Sequence, residues 1–340
     1  MLEEIEKVET YDSALESVIS DGAASSLEQA GYMPFSSEKD VIETFKIPTA
    51  RTEYAKNRQR RLREENSDRI GVMSKSLERL LVARNRSMFV PGFRSGRLHS
   101  AGLYKLQTGD TRVFRRKEEI RTKNTAVMLL VDCSGSMNSR DRIVKAGDAA
   151  YALCHALERI NIKTQVMGFT TGTDGDMHRD AYNQLEAVLK KNPKFAGGFD
   201  RVEPLFMPIF KSFDERLTPT AEMRVAAIPY VSMRNNADGE SVEIAGNILR
   251  GRQEERKIMI VLSDGQPAMA SAYTSYGHDG RADEHLKNVV TELESVGIET
   301  LGIGIETHDV KQYYPKHIVI DNVSELPTKI ITELSAMLLN

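Results

Sequence analysis

The chain lacks tryptophan, has only two cysteines in 340 residues, and contains no long run of apolar residues. A helix that crosses a bilayer needs about 20 consecutive apolar residues, so we expect no membrane span. Cys133 and Cys154 are too few for a disulfide framework or a cysteine-rich zinc site. The acidic start MLEEIEKVET has neither the basic nor the apolar region of a signal peptide, which predicts a cytoplasmic protein.

The chain also has no large excess of positive or negative charge. The 46 Lys and Arg residues nearly balance 49 Asp and Glu residues, and the net charge is -3. This balance gives no general attraction to nucleic acid or to an anionic membrane, so any electrostatic function must be local. Hydrophobic residues make up 40% of the chain, which is enough for a sizeable core.

From Thr125 onward, short apolar segments alternate with segments of helical spacing. The apolar segments predict strands buried on both faces: AVMLLVD, KTQVMGFT, KIMIVLSDG and ETLGIGIE. The pattern therefore predicts an α/β fold with a doubly wound, mostly parallel sheet over residues 125–340. Residues 171–236 fit the alternation poorly, and we interpret this range as an insertion.

Residues 1–90 are predicted to be a helical N-terminal region. Helical segments are expected at YDSALESVIS, at SSEKDVIETF with a serine cap, and along the Arg-rich stretch that follows. We expect the cations around Arg58, Arg60, Arg61 and Arg63 to form a solvated helix face, because acids are interleaved with them.

Residues 91–124 are predicted to be an ordered basic arm that leads into the α/β domain. Nucleic acid is one conceivable ligand for the arm, although we favour docking on a protein. The cations that raise this question are Arg112, Arg115, Arg116, Lys117, Arg121 and Lys123.

The main chemical motif follows the first predicted strand, where Asp132, Ser134 and Ser136 alternate along the chain in DCSGSM. Asp264 follows another strand, in SDG. The carboxyl ends of parallel strands meet at one edge of a sheet, so these side chains are expected to converge. Hard oxygen donors of this kind suit Mg²⁺, with Mn²⁺ as the alternative ion. A lone D-x-S motif would instead be expected to cap the next helix.

LLVDCSGSM together with VLSDG resembles the von Willebrand factor A (VWA) domain and its metal-ion-dependent adhesion site (MIDAS). The resemblance implies a Rossmann-like fold in which the hydroxyls of Ser134 and Ser136 bind the metal directly. It also implies that Asp132 and Asp264 act largely through water. One further coordination position would be left for a carboxylate from a partner protein.

The third ligand is where this sequence departs from the family pattern. The family has a threonine on a second loop, but NNADGESVEIA offers no threonine there. Asn236 or Asp238 could supply the oxygen instead, and Asp238 could equally be a helix cap.

Within the VWA family, the chain resembles the CobT subunit of the aerobic cobaltochelatase. The features that carry this resemblance are RSGRLHSAGLYKLQTGDTRVFRRKEE, FMPIFKSFDE, NADGESVEIA, and the ending from SDGQPA to YYPKHIVI. The resemblance implies a non-catalytic subunit that works with a AAA+ ATPase of the MoxR/CobS type, which would donate the carboxylate to the metal. A large chelatase subunit is a further implied partner, and cobalamin biosynthesis the implied pathway. The acidic low-complexity segment expected before the A domain is absent, so ATP-driven remodelling in another setting stays open.

Two other readings of the motif compete with this one. The first is a stand-alone VWA module that binds a protein or nucleic-acid ligand. The second is an independent hydrolase with Ser134 or Ser136 as nucleophile, but the motif lacks G-x-S-x-G and a neighbouring histidine. The chain also lacks a G-x-x-x-x-G-K-[ST] phosphate loop, so it is not itself the ATPase.

Overall fold

A computed structural model describes residues 32–34, 39–84, 87–119, 125–172, 199–201, 203–268 and 280–339. In chain order the described strands are β1 (Tyr32–Pro34), β2 (Val41–Thr44), β3 (Ser87–Phe93), β4 (Arg97–Leu98), β5 (Phe114–Glu119), β6 (Thr125–Asp132), β7 (Lys163–Thr171), β8 (Phe199–Arg201), β9 (Leu205–Lys211), β10 (Arg256–Ser263), β11 (Ile298–Ile305) and β12 (His317–Ile320). The described helices are α1 (Thr52–Arg84), α2 (Arg142–Arg159), α3 (Pro219–Ala226), α4 (Asp238–Arg250), α5 (Gly280–Ser295) and α6 (Leu326–Leu339).

Seven strands form the central sheet in the order β12-β11-β10-β6-β7-β9-β2. Neighbouring strands are parallel except for β7 and β9, which are antiparallel. The four strands expected from the apolar segments are β6, β7, β10 and β11. The prediction of a doubly wound, mostly parallel α/β sheet is confirmed.

Both faces of the sheet are covered by helices, which explains the continuous apolar runs of its central strands. Every residue of β6 is buried. Val127, Leu129 and Val131 point into one core, shared with α1, α2, α3 and α6. Met128 and Leu130 point into the other core, shared with α4 and α5. The helices thus form one layer on each side of the sheet.

Helix α1 is 33 residues long and packs against α2, α3 and α6. Its buried face includes Met73 and Leu77. The expectation of a solvated cationic face holds for Arg60, Arg61 and Arg63 but is wrong for Arg58, which is buried and ion-paired with Asp148 of α2. Arg58 also donates a hydrogen bond to the Val144 carbonyl, so it anchors α1 on α2.

The helix predicted at SSEKDVIETF is wrong at Val41–Thr44, which is strand β2 at one edge of the central sheet. Three of its four residues are β-branched, and pairing with β9 outweighs the local helix-start signal. The helix predicted at YDSALESVIS and residues 173–198 of the insertion lie outside the described residues. None of the described helices combines the length and apolar character needed to cross a bilayer.

Residues 87–119, called the arm below, form a separate antiparallel sheet in the order β3-β5-β4. A 3₁₀ segment, Ser100–Thr108, connects β4 to the approach of β5. This sheet overlaps the basic arm predicted at residues 91–124, of which residues 120–124 lie outside the described residues. The boundaries at residues 90 and 124 stay predictions.

Candidate metal centre

The carboxyl ends of β6 and β10 lie side by side in the middle of the sheet. Val131 pairs with Leu262 in a parallel register, so Asp132 and Ser263 follow at neighbouring strand ends. In the sheet, β7 lies on one side of β6, whereas β10 and β11 lie on its other side. This is the topological switch point at which α/β sheets bind ligands.

Asp132 is completely buried and is held at both carboxylate oxygens. Its Oδ1 accepts a hydrogen bond from the backbone N–H of Ser134 at 2.8 Å. Its Oδ2 accepts one from the Ser263 hydroxyl at 2.8 Å. The first bond shapes the loop after β6, and the second joins that loop to the end of β10. Asp132 therefore fixes the position of both loops.

Ser134 and Ser136 lie together at the mouth of this cluster. Their Oγ atoms are 2.8 Å apart. Ser134 is buried, whereas Ser136 is exposed, so the pair leads from the buried carboxylate out to solvent. The structure thus links Asp132 to Ser134 and Ser134 to Ser136, and their role as metal ligands stays a prediction.

Asp264 follows β10 and is nearly buried, with 8% of its surface exposed. Its Oδ2 accepts a hydrogen bond from Nη1 of Arg142, the first residue of α2, at 3.1 Å. Gly265 has φ +107, and a Cβ there would lie 2.7 Å from the Cβ of Asp309. Only glycine fits that position, which explains the SDG sequence after the strand.

Asn236 and Asp238, the two candidates for the third ligand, have different surroundings. The Asn236 side chain accepts from Ala268 N–H at 3.1 Å and donates to the Gln266 carbonyl at 3.1 Å. It also donates to Asp238 Oδ1 at 2.5 Å. The amide oxygen of Asn236 thus already has a backbone partner. Asp238 is the first residue of α4, and the capping position is Ala237, so Asp238 does not cap the helix.

Two residues that the sequence did not single out hold the loop before Asn236. Thr170 accepts a hydrogen bond from Arg234 N–H at 3.0 Å and donates to the Asn235 carbonyl at 3.1 Å. Thr171 accepts from Asn235 N–H at 3.2 Å. Both threonines end β7, next to the Asp132 end of β6. Their position in GFTT, after an apolar strand, is a signal that could have identified them.

A buried ion cluster fixes the start of α4. Arg201 is fully buried and donates to Glu240 Oε1 from Nε at 2.7 Å. It also donates to both oxygens of Asp40, at 2.7 and 2.8 Å. Glu240 lies two residues after Asp238 in the first turn of α4. Arg201 thereby ties the segment before β2 to the helix that carries Asp238.

The carboxylates of Asp132, Asp238 and Asp264 lie close enough to affect one another. Burial, and next the Asp264 charge, raises the pKa of Asp132 to about 7. Burial raises the pKa of Asp238 well above its usual range, and the charges of Asp132 and Asp264 add to this. Keeping such a cluster ionised costs free energy unless positive charge is nearby. Arg142 supplies part of that charge.

The donor set fits a hard divalent cation. The excess of buried negative charge next to hydroxyl oxygens is the environment that Mg²⁺ prefers. Within the described ranges, no group of three or more His, Cys, Asp or Glu side chains forms a metal cage by itself. A metal here would need ligands of other kinds as well, and Ser134 and Ser136 offer hydroxyl oxygens.

Among the described residues, the hydrogen-bond partners of the cluster differ from those of a serine or cysteine nucleophile. Ser134 hydrogen bonds to Ser136, and in the described part of the chain no histidine bonds to either hydroxyl. Cys133 and Cys154 are buried free thiols. Burial raises the pKa of both, that of Cys154 to about 12, so both thiols stay protonated near neutral pH.

Comparison with known proteins places the chain in a family. The family model described as "Cobalamin biosynthesis protein CobT VWA domain" matches residues 113–340. The uncharacterized protein YojO of Bacillus subtilis is 24% identical over 254 residues, which cover 72% of this chain. The match spans 35% of YojO, so the chain corresponds to about a third of that relative.

Two solved structures are similar in part. The vWF domain of the type V pili tip protein Mfa5 from Porphyromonas gingivalis is 9% identical, with a TM-score of 0.42, and the match covers 64% of this chain and 97% of that one. An aerotolerance-related membrane protein from Bacteroides fragilis is 17% identical, with a TM-score of 0.39, and the match covers 63% and 100% of the two chains. The family match extends from the end of the arm through the whole α/β domain and includes every candidate metal ligand. The chain belongs to the CobT VWA-domain family.

Proposed function

We propose that this chain is a Mg²⁺-dependent protein-interaction subunit of the CobT type. It works with a AAA+ ATPase of the MoxR/CobS type in cobaltochelatase-like metal insertion or in ATP-driven remodelling of another target. The observation that carries the proposal is the cluster of Asp132, Ser134, Ser136 and Asp264 at the switch point of the sheet.

Each residue of the cluster has a distinct part in holding the ion. The hydroxyls of Ser134 and Ser136 would bind it directly, because their Oγ atoms lie together between the buried Asp132 and solvent. Asp132 and Asp264 act through water from their buried positions. Asp238 is the third protein donor in preference to Asn236, whose amide oxygen already accepts from Ala268. Mn²⁺ is the alternative ion.

When bound, the ion would supply an open coordination position for a carboxylate of the partner. The chain's own residues make that position specific. Arg201 and Glu240 hold the start of α4, and Asn236 links the α4 loop to the loop after Asp264. These links couple the three loops, so a partner that grips one of them changes the position of the others. Nucleotide turnover in the ATPase would then make or break the contact.

We infer the ATPase and the large chelatase subunit as partners because the chain belongs to the CobT VWA-domain family. Family members of this kind act as adaptors, and the absence of a phosphate-loop motif in this chain agrees with a separate ATPase. The pathway follows from the identity of those partners. A chelatase partner would place the chain in cobalamin biosynthesis.

The test is co-purification of this chain with a AAA+ ATPase of the MoxR/CobS type, in Mg²⁺ and in EDTA. Wild type should bind in Mg²⁺ and lose the ATPase in EDTA, and Asp132→Ala should fail to bind in either. Asp321→Ala, a change of an exposed aspartate, is the matched control and should bind as wild type does. Binding that survives both EDTA and Asp132→Ala would refute the metal bridge.

A further inference from the structure

The arm is a preformed surface outside the central sheet. Its strands pair only with one another among the described strands. Val113 is buried within it, and His99 N–H donates to the Val113 carbonyl at 2.9 Å. Arg116 donates to the Ser95 carbonyl at 3.1 Å and lies over the ring of Phe93. A surface held in this way loses little conformational entropy when it binds.

Large apolar side chains are exposed in one short stretch of the arm. Leu98 is 51% exposed, Leu103 38%, Tyr104 66% and Leu106 50%. All four lie within residues 98–106, at the end of β4 and in the 3₁₀ segment. Single exposed apolar residues are ordinary, but four so close together mark a contact surface.

Positively charged side chains lie close to these apolar residues in the sequence of the arm. Arg94, Arg97 and Arg116 are exposed on the adjoining strands and turn. Between residues 91 and 116 the sequence has one acid, Asp110, and both of its carboxylate oxygens accept hydrogen bonds from Arg112, at 3.0 and 3.1 Å. The arm patch, residues 94–106 with Arg116, therefore combines cations with aliphatic side chains.

We propose that the arm patch docks an acidic segment of a partner protein that carries apolar side chains. Carboxylates of the segment meet Arg94 and Arg97, and its apolar side chains cover Leu103 and Leu106. Single-stranded nucleic acid fits less well, because three of the four exposed apolar residues are aliphatic and offer no ring for a base to stack on. The patch includes none of the candidate metal ligands, so this contact does not depend on the metal.

The test measures the anisotropy of a fluorescein-labelled amphipathic peptide of glutamate and leucine, titrated with the full chain in EDTA. Two double variants change the patch, Arg94→Glu with Arg97→Glu and Leu103→Ser with Leu106→Ser. The controls are Arg216→Glu and Val296→Ser, which change an exposed cation and an exposed apolar residue elsewhere. Circular dichroism and the melting temperature establish that each variant is folded.

Each double variant should weaken binding at least about tenfold, and each control less than about twofold. A polyglutamate peptide of equal charge, or a single-stranded oligonucleotide, should bind more weakly than the amphipathic peptide. Equal or tighter binding of either polyanion, with no effect of Leu103→Ser and Leu106→Ser, would overturn the proposal.

Residues 1–31 of this chain are themselves acidic, with eight Asp and Glu residues and one Lys. If the peptide binds only after residues 2–31 are removed, that segment of the chain itself occupies the arm patch. This result would also overturn the proposal that a partner protein binds there. No binding by either form of the chain would overturn it as well. None of these results depends on Mg²⁺, so the outcome is separate from that of the metal bridge.

Discussion

Nη1 of Arg142 lies 3.1 Å from Oδ2 of Asp264 and joins the first turn of α2 to the loop after β10. The same guanidinium is 4.0 Å from Glu306, which also pairs with Lys145. Arg142 therefore stands between a carboxylate of the proposed metal site and one outside it. A cation in this place neutralises Asp264 when no metal is bound and opposes the charge of a metal when one is.

Replacement of Arg142 by glutamine should increase metal affinity and decrease the stability of the metal-free protein. We expect Arg142→Gln to bind Mn²⁺ roughly tenfold more tightly, a change of about 1.4 kcal/mol, because an opposing cation is gone. Isothermal titration measures the affinity, and thermal melting in EDTA measures the loss of stability. Arg140→Gln, at an exposed arginine of the same loop, is the control. Weaker Mn²⁺ binding by Arg142→Gln would show that Arg142 supports the metal site instead of competing with it.

The third ligand can be identified by variants of Asp238 and Asn236 with opposite effects. Asp238→Asn removes a buried charge whose pKa burial raises, so it should raise the melting temperature in EDTA. It should also weaken Mn²⁺ binding by about tenfold or more, if Asp238 is a ligand. Asn236→Ala leaves the Ala268 N–H without a side-chain acceptor, so it should cost about 1 to 3 kcal/mol of stability in EDTA.

Melting curves with and without Mn²⁺ separate these two roles. The stabilisation by Mn²⁺ should largely disappear in Asp238→Asn and should persist in Asn236→Ala once the lower baseline is taken into account. The reverse pattern would make Asn236 the ligand and would leave Asp238 as a helix-terminal charge.

Two glycines test the packing of the fold itself. Gly71 lies inside α1, and a Cβ there would meet no atom within 4 Å. Gly71→Ala should therefore stabilise the protein by about 0.5 to 1 kcal/mol.

A Cβ on Gly304 of β11 would lie 2.2 Å from the Thr307 carbonyl oxygen, which is backbone and cannot move aside easily. Gly304→Ala should destabilise by roughly 1 to 3 kcal/mol or more. Urea unfolding measures both, and changes of the same sign would contradict this account of the backbone at Gly71 and Gly304.

The sheet and the ends of its central strands were predictable because they depend on local patterns. An apolar run of six residues, 126–131, followed by Asp132 is typical of a buried strand that ends in a polar loop. The edge strand β2 was not predictable, because its conformation depends on β9, more than 160 residues further along the chain. A Ser-Ser-Glu-Lys-Asp sequence favours a helix start only in the absence of such a partner.

The candidate site shows the same division. Ser136 and Asp264 are candidates because of the short motifs DCSGSM and SDG. Arg142 and Thr170 join the site only through tertiary contacts, since an arginine at a helix start and a threonine at a strand end have many ordinary roles. The distinction between Asn236 and Asp238 rests on a hydrogen bond to Ala268, which no local spacing predicts.

His155 of α2 lies in the interface between α2 and α3 and should make stability depend on pH. Its ring packs on Tyr151, with 4.3 Å between centroids, and its Nε2 lies 3.3 Å from Glu222 of α3. Burial lowers the pKa of His155, although the Glu222 charge acts in the other direction; the nearby Arg63 lowers it further. The histidine is thus neutral in the folded protein at a pH at which it is protonated in the unfolded chain.

The unfolded state therefore binds more protons than the folded state between the lowered pKa and about 6.5, the usual histidine value. The contribution of His155 to stability is fully present above that range and is lost as the pH falls through it.

Raised carboxyl pKa values, such as that of Asp40, change stability with pH in the opposite direction, so the variant must be compared with wild type. In urea unfolding from about pH 7.5 to about pH 5, His155→Gln should lose less stability than wild type, because it has no proton to take up. His308→Gln, at an exposed histidine, should follow the wild-type curve. A His155→Gln curve parallel to wild type would mean that Glu222 compensates the burial of the imidazole completely.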